Sequence, residues 1–148
     1  MIGYGINQAK GLFFDSKAVL SATTRAERRV FSKFGAYVRT AARSSIRKRK
    51  KVSEAGSPPS SHTGLLKKFI FFGYDPMRKS VVIGPARLNA KTGDALPALE
   101  HGGPSRILSG RRHKRRVRTI AVAARPFMGP AFEQEKPKLP AMWRDSVK

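Results

Sequence analysis

The chain lacks cysteine altogether, has few acidic residues and contains no long apolar run. Because there is no thiol, a disulfide scaffold, a cysteine-based zinc site and a thiol nucleophile are excluded. No stretch approaches the roughly 18 consecutive apolar residues of a transmembrane helix, so we expect none. The first residues show no basic segment followed by an apolar run, so we expect no secretory signal.

The charge balance is the strongest signal in the composition. Lys and Arg number 31 and Asp and Glu only 9, which gives a formal net charge of +22 and a pI near 11.6. Such a charge indicates an anionic partner: nucleic acid, an acidic protein surface or a membrane face. Hydrophobic residues make up 40% of the chain, so a modest core can form. At 148 residues we expect an N-terminal arm over residues 1–15 and a single domain over residues 16–148.

The first ordered element is predicted to be a long helix. Residues 17–50 contain no proline, and apolar side chains recur every three or four positions from Val19 to Ala41. Asp15 or Ser16 can cap its start by accepting a hydrogen bond from a free amide of the first turn. At ~1.5 Å per residue this helix is roughly 50 Å long, so it bends or one end projects and meets a neighbour.

The middle of the chain predicts a first hairpin. A loop rich in Pro and Ser over residues 51–64 precedes Leu65–Phe72, which is typical of a helical turn leading into a strand. A turn at residues 73–76 then leads to the β-branched strand Ser80–Gly84. We expect the loop 51–64 and the arm 1–15 to be mobile in an isolated subunit and ordered in an assembly.

The last third of the chain predicts a second hairpin and a terminal helix. Residues 107–108 and 117–123 pair around a basic tip at residues 109–116. The final helix is expected to begin near Ala131, and the prolines further along predict a kink or break, because each removes an amide donor. The residues predicted to be buried in the core are Phe34, Val38, Phe69, Ile83, Phe127 and Phe132.

Two basic runs are predicted to contact the anionic partner, which is either DNA or acidic protein. Each phosphate neutralised releases a counterion and makes affinity dependent on salt. A solvated basic face is the alternative interpretation, and no aromatic interleaving points to stacking on single strands. The predicted contact residues are Arg43, Arg47, Lys48, Arg49, Lys50 and Lys51 at the end of the long helix, and Arg111, Arg112, Lys114, Arg115 and Arg116 at the tip of the second hairpin.

No constellation of catalytic residues is evident in the sequence. His62, His101 and His113 are scattered, and Glu100 beside His101 points away from it in any regular structure. The chain contains no H-E-x-x-H, G-x-S-x-G, P-loop or G-x-G-x-x-G motif. We therefore expect no enzymatic activity, no cofactor and no metal site.

Three short motifs nevertheless occur in order. They are Thr63-Gly64-x-Leu66, Ala95-Leu96-x-x-Leu99-Glu100-x-Gly102, and Ala124-Arg125-Pro126-Phe127-x-x-Pro130-Ala131-Phe132. With the long basic helix before them, they resemble the neck or tail-completion family of tailed bacteriophages, and the resemblance spans residues 17–147. It implies an α+β fold in which a long N-terminal helix and a C-terminal helix pack on a small antiparallel sheet.

The resemblance also implies a function without catalysis. The expected role is a homo-oligomeric ring in the phage neck, between the portal-side connector of the DNA-filled head and the tail. The implied partners are other copies of the chain, connector or head-completion proteins, tail-terminator or tail-tube proteins, and DNA in the channel, with no membrane. The implied location is the virion, and the host cytoplasm during assembly. The alternative is a monomeric basic nucleic-acid-binding protein of the ribosomal or chromatin kind.

Overall fold

The structure, a computed structural model, describes residues 15–86, 95–109, 116–144 and 146. The predicted arm therefore lies outside the described residues, apart from Asp15. The chain is an α+β protein with a long N-terminal helix, helical segments at the C-terminus and two small antiparallel sheets, which confirms the predicted fold class. The elements are α1 (Ser16–Ser45), α2 (Leu65–Lys68), β1 (Ile70–Asp75), β2 (Ser80–Pro85), α3 (Ala95–His101), β3 (Gly103–Ser109), β4 (Arg116–Val122), α4 (Met128–Glu135), a 3-10 turn (Lys136–Lys138) and α5 (Leu139–Arg144).

Helix α1 begins where the sequence predicts. The carboxylate of Asp15 caps it by accepting a hydrogen bond from the amide of Ala18 at 3.0 Å. Its buried stripe runs from Ala26 to Ala42 in steps of four residues. Residues 16–25 contain no buried side chain, so the first third of this 30-residue helix stands clear of the core. None of the helices in the described part of the chain is long and apolar enough to cross a membrane.

The first hairpin pairs β1 with β2 in antiparallel register, with Asp75 opposite Ser80 at its closed end. The turn predicted at residues 73–76 is wrong, because β1 continues through Asp75 and the turn occupies residues 76–79. The carboxylate of Asp75 accepts a hydrogen bond from the amide two residues later at 3.0 Å, and Lys79 adopts a left-handed φ of 47°. Helix α1 packs against both strands of this hairpin.

The second hairpin forms a separate sheet. Strands β3 and β4 pair from Gly103 opposite Val122 to Ser109 opposite Arg116, which confirms a second hairpin. Its predicted bounds are wrong, because the first strand begins at Gly103 and because Ser109 and Arg116, predicted in the tip, are paired strand residues. Residues 110–115, which connect the two strands, lie outside the described residues. Every residue of β4 before Val122 is exposed, and the hairpin packs chiefly on α3. The hairpin therefore stands out from the body of the protein.

The C-terminal helical segment is broken, as its prolines predict. Helix α4 begins at Met128, three residues before the predicted start at Ala131. It gives way to a 3-10 turn that contains Pro137, and α5 then carries Pro140 as its second residue. Proline is tolerated in the first turn of a helix, because the amide that it lacks has no partner there.

One hydrophobic core lies between α1, the first hairpin and α4. Three of the predicted core residues belong to it: Phe34 and Phe127 are each 2% exposed and Val38 is 1% exposed. Leu66, from α2, and Leu99, from α3, pack against the same cluster. The buried members of the cluster are Phe34, Val38, Ala42, Ile46, Ile70, Phe127 and Ala131.

The other three predicted core residues are less buried than expected. Phe69 and Ile83 are only half-buried. Phe132 is 40% exposed, so its assignment to the buried core is wrong. Ala131 is the residue of α4 that points into the core. Phe132, the next residue along the helix, contacts the core only at its edge. Its ring packs edge-on against Phe34, with the ring centroids 5.7 Å apart.

The loop at residues 51–64 is tied to the third motif. The amide of Gly56 donates to the carbonyl of Ala124 at 2.8 Å, and Nε of Arg125 donates to the carbonyl of Ser53 at 3.0 Å. These bonds hold the loop against the chain that leads into α4. The mobility of the loop in the free subunit stays a prediction.

Candidate anionic-partner surface

Most of the first basic run, residues 47–51, lies beyond the end of the helix on which it was predicted. Helix α1 ends at Ser45, and Ile46 adopts an extended conformation (φ −81°, ψ 118°) with its side chain fully buried. The hydroxyls of Ser44 and Ser45 donate to carbonyls three residues back, at 2.8 and 2.9 Å. Such side-chain bonds compete with the helical ladder. The predicted helix end near residue 50 is therefore wrong, and the cations from Arg47 onward lie on non-helical backbone.

Backbone contacts fix the path of this basic segment. Arg47 forms a parallel bridge pair with Ser60, and its carbonyl accepts a hydrogen bond from the amide of Ser61 at 3.0 Å. Two residues on, Nε of Arg49 donates to the hydroxyl of Ser60 at 2.9 Å. The segment therefore lies alongside the end of the loop at residues 51–64.

A polar pocket of about 420 Å³ opens between these two pieces of chain. Two serines come from the last turn of α1, two arginines from the basic segment, and a Ser-Pro pair from the loop. No acidic side chain is among them, and the hydroxyl of Ser57 has no hydrogen-bond partner in the described part of the chain. The lining residues are Ser44, Ser45, Arg47, Arg49, Ser57 and Pro58.

The cations of this surface are not neutralised within the described residues. The ion pairs of the described chain join Lys79 to Glu27 and two lysines to glutamates near the C-terminus, away from residues 43–51. Arg43 is half-buried in the last turn of α1, whereas Lys48, Lys50 and Lys51 are exposed. Such a set of unpaired cations can bind the oxygens of phosphate or carboxylate groups.

The second predicted cluster is only partly described. Arg116 is exposed at the start of β4, opposite Ser109, and Arg118 is exposed two residues further along. The other four predicted tip residues, Arg111, Arg112, Lys114 and Arg115, lie outside the described residues. Arg116 therefore lies on β4, whereas the first cluster lies on the last turn of α1 and on the segment that follows it.

Sequence reasoning missed the serines of the pocket and the role of Glu100. One carboxylate oxygen of Glu100 accepts hydrogen bonds from the amides of Phe127 at 3.0 Å and Met128 at 3.2 Å, and the other accepts from Gly129 at 2.8 Å. These are free amides at the start of α4, where a negative charge is favoured. No local pattern reveals this cap, because the partners lie 27 to 29 residues apart.

The predicted absence of a metal site can be compared only with the described residues. His62 is exposed in the loop and His101 is exposed at the end of α3, while His113 lies outside the described residues. Within the described ranges, no group of three or more His, Asp and Glu side chains is placed to hold a metal ion.

The residues that carry the resemblance to phage neck proteins meet in one place. Leu66 and Leu99, from the first and second motifs, pack against the core that contains Phe127 and Ala131 of the third. The amide of Arg125 donates to the carbonyl of Leu99 at 2.7 Å, which adds a backbone tie between the second and third motifs. Comparisons of the chain with protein-family models, with curated proteins and with solved structures give no match.

Proposed function

We propose that this chain is a structural virion protein of the phage neck, which forms a homo-oligomeric ring that joins the DNA-filled head to the tail. The observation that carries the proposal is a pair of elements whose apolar side chains stay exposed in the single subunit. At the start of α1, Val19 is 47% and Leu20 67% exposed. On the second hairpin, Val117 is 61% and Ile120 40% exposed.

Contacts between subunits would stabilise both elements. A two-stranded hairpin is at best marginally stable in water by itself, and a neighbour packed on it would supply the missing contacts. A closed ring needs heterologous contacts, in which one patch of a subunit meets a different patch of the next. Two distinct exposed elements on one chain supply such a pair of patches.

The charge supports the proposed neighbours of the ring. Subunits with a formal charge of +22 repel one another, so a ring of them gains stability from anions close by. Packaged DNA in the channel is one source, and acidic residues on connector or tail proteins are another. The unpaired cations at residues 43–51 are available for either contact. The proposed role is structural and requires no chemical step.

The mass of the purified protein after nuclease treatment tests the proposal. A ring keeps a multiple of the 16.4 kDa subunit mass in light scattering. Leu20→Asp should lower that mass, whereas Ser21→Asp, an equal charge change at an exposed position on a different face of α1, should not. A mass that falls to one subunit on nuclease treatment would instead support the alternative, a monomeric nucleic-acid-binding protein, which the same unpaired cations favour.

A further inference from the structure

We infer that the pocket at the end of α1 binds a phosphate group of a nucleic-acid backbone. The pocket is complete within one subunit, so the inference does not rest on ring formation. It assigns the first basic run a defined site, with Arg47, Arg49 and Ser57 as the groups that contact the phosphate oxygens.

The two arginines supply charged donors to the pocket. The guanidinium of Arg47 has no hydrogen-bond partner among the described residues, so all its N–H groups are available. Among the described residues, Arg49 bonds only through Nε, which donates to the hydroxyl of Ser60 at 2.9 Å, and its two terminal nitrogens have no partner there. Guanidinium groups match the oxygens of a phosphate with paired, charge-assisted hydrogen bonds.

Ser57 adds a neutral donor to the pocket from the loop at residues 51–64. Its hydroxyl has no partner in the described chain and can rotate toward an anion, whereas Ser44 and Ser45 already donate to carbonyls of α1. The negative end of the α1 dipole lies near these serines and opposes an anion. That end carries only about half an elementary charge, and two guanidinium groups exceed it.

The surroundings favour a phosphate chain over a carboxylate of an acidic protein. Each strand of B-DNA carries one charge per about 3.4 Å of helix axis, so phosphates on either side of the bound one can meet further cations. Such cations are present beside the pocket at Arg43, Lys48, Lys50 and Lys51.

The test uses the full chain and a short labelled duplex DNA, with affinity measured by fluorescence anisotropy over a range of salt. Arg49→Ala should weaken binding roughly tenfold or more. Arg49→Lys should weaken it nearly as much, because lysine keeps the charge but lacks the paired N–H donors of the planar guanidinium. Ser57→Ala should weaken binding about threefold without changing the salt slope. Lys50→Ala, which removes one exposed charge beside the pocket, is the matched control and should have a smaller effect.

Three results would overturn the inference. Equal losses in Lys50→Ala and Arg49→Ala, with wild-type binding by Arg49→Lys, would show a diffuse basic face in place of a site. If the protein bound polyglutamate more tightly than DNA, and Ser57→Ala weakened that binding, the pocket would be assigned to an acidic protein. Saturation by inorganic phosphate with no competition against DNA would show a site for the free ion. Thermal melting of each variant confirms that it is folded, and the exposed position of Arg49 makes unfolding of its variants unexpected.

Discussion

The carboxylate of Glu100 accepts a hydrogen bond from the backbone amide of Gly129 at 2.8 Å and so joins α3 to the first turn of α4. A Cβ atom at Gly129 would lie 3.3 Å from the same carboxylate, closer than most Cβ contacts. With the amides of Phe127 and Met128 also bound, one side chain satisfies three backbone donors. Glu100 therefore joins the second and third motifs through its side chain, in addition to the backbone bond between Leu99 and Arg125.

Replacing Glu100 should destabilise the fold. Glu100→Ala leaves part-buried amides without an acceptor, and we expect a loss of about 2–4 kcal/mol in the free energy of unfolding. Glu100→Gln keeps an acceptor but loses the charge, so its cost should be smaller. Urea unfolding measures both. Glu54→Ala removes one exposed carboxylate from the loop and is the control, with an expected change within ~0.5 kcal/mol. Equal stability of Glu100→Ala and Glu54→Ala would contradict the capping role.

Alanine substitutions of three phenylalanines that differ in burial should lower the free energy of unfolding by different amounts. Truncation of Phe127 to Ala removes a ring that is 2% exposed and should cost ~3–5 kcal/mol. Phe132→Ala, at 40% exposure, should cost about 1–2 kcal/mol. Phe71→Ala, at 49% exposure on the outer face of the first hairpin, is the surface control. A Phe127→Ala protein that melts like the wild type would remove Phe127 from the core.

A methyl group at Gly35 should destabilise the protein. Gly35 lies in α1, where alanine is normally preferred by roughly 1 kcal/mol. A Cβ atom there would lie 2.8 Å from Cγ2 of Val81 and 2.9 Å from the ring of Phe72, so these side chains or the helix must shift. We expect Gly35→Ala to lower stability by about 1–2 kcal/mol in spite of the better helix propensity.

Gly84 provides the control for this substitution. It lies in β2, and a Cβ atom there would meet nothing within 4 Å. Gly84→Ala should leave the melting temperature unchanged or slightly raised. If Gly35→Ala raised the melting temperature by as much as Gly84→Ala or more, the close approach of α1 to the hairpin would be refuted.

Arg125 should protect the loop at residues 51–64 from proteolysis. Its Nε donates to the carbonyl of Ser53, so Arg125→Ala should raise the population of open loop and speed tryptic cleavage after Lys51 by roughly tenfold. Arg118→Ala removes an exposed arginine of β4 and should leave the rate unchanged. Mass spectrometry of early digests identifies the cut. If trypsin first cut both Arg125→Ala and Arg118→Ala at a site outside the loop, a mobile loop held by Arg125 would be contradicted.

The pattern of the sequence fixes most of the elements but not their ends. Apolar spacing predicts α1 and its buried face, because Val30, Phe34 and Val38 recur at the helical period. The end of α1 is not predictable in the same way, since Ile46 continues that period while it is buried from an extended backbone. Phe132 shows the same limit: two phenylalanines flank the start of α4, and only packing decides which one is buried.

The candidate site was predictable in its charge and not in its shape. The run from Arg47 to Lys51 is evident in the composition and indicates an anionic partner. The pocket forms only because the loop returns to the end of α1, which places Ser57 near Arg49 across eight residues of chain. That return depends on tertiary hydrogen bonds, and no local spacing encodes them.

The geometry at the base of the second hairpin means that the hairpin could be replaced by another one without disturbing the rest of the fold. Gly103 pairs with Val122, and a Cβ atom at Gly102 would lie 3.2 Å from the amide nitrogen of Ala124. The chain therefore leaves the body and returns to it at nearly the same point. A hairpin of another length or another charge, closed by the same base pair, would leave Glu100 and its contacts in place. Such a change would alter what the hairpin contacts without altering the packing of the domain that carries it.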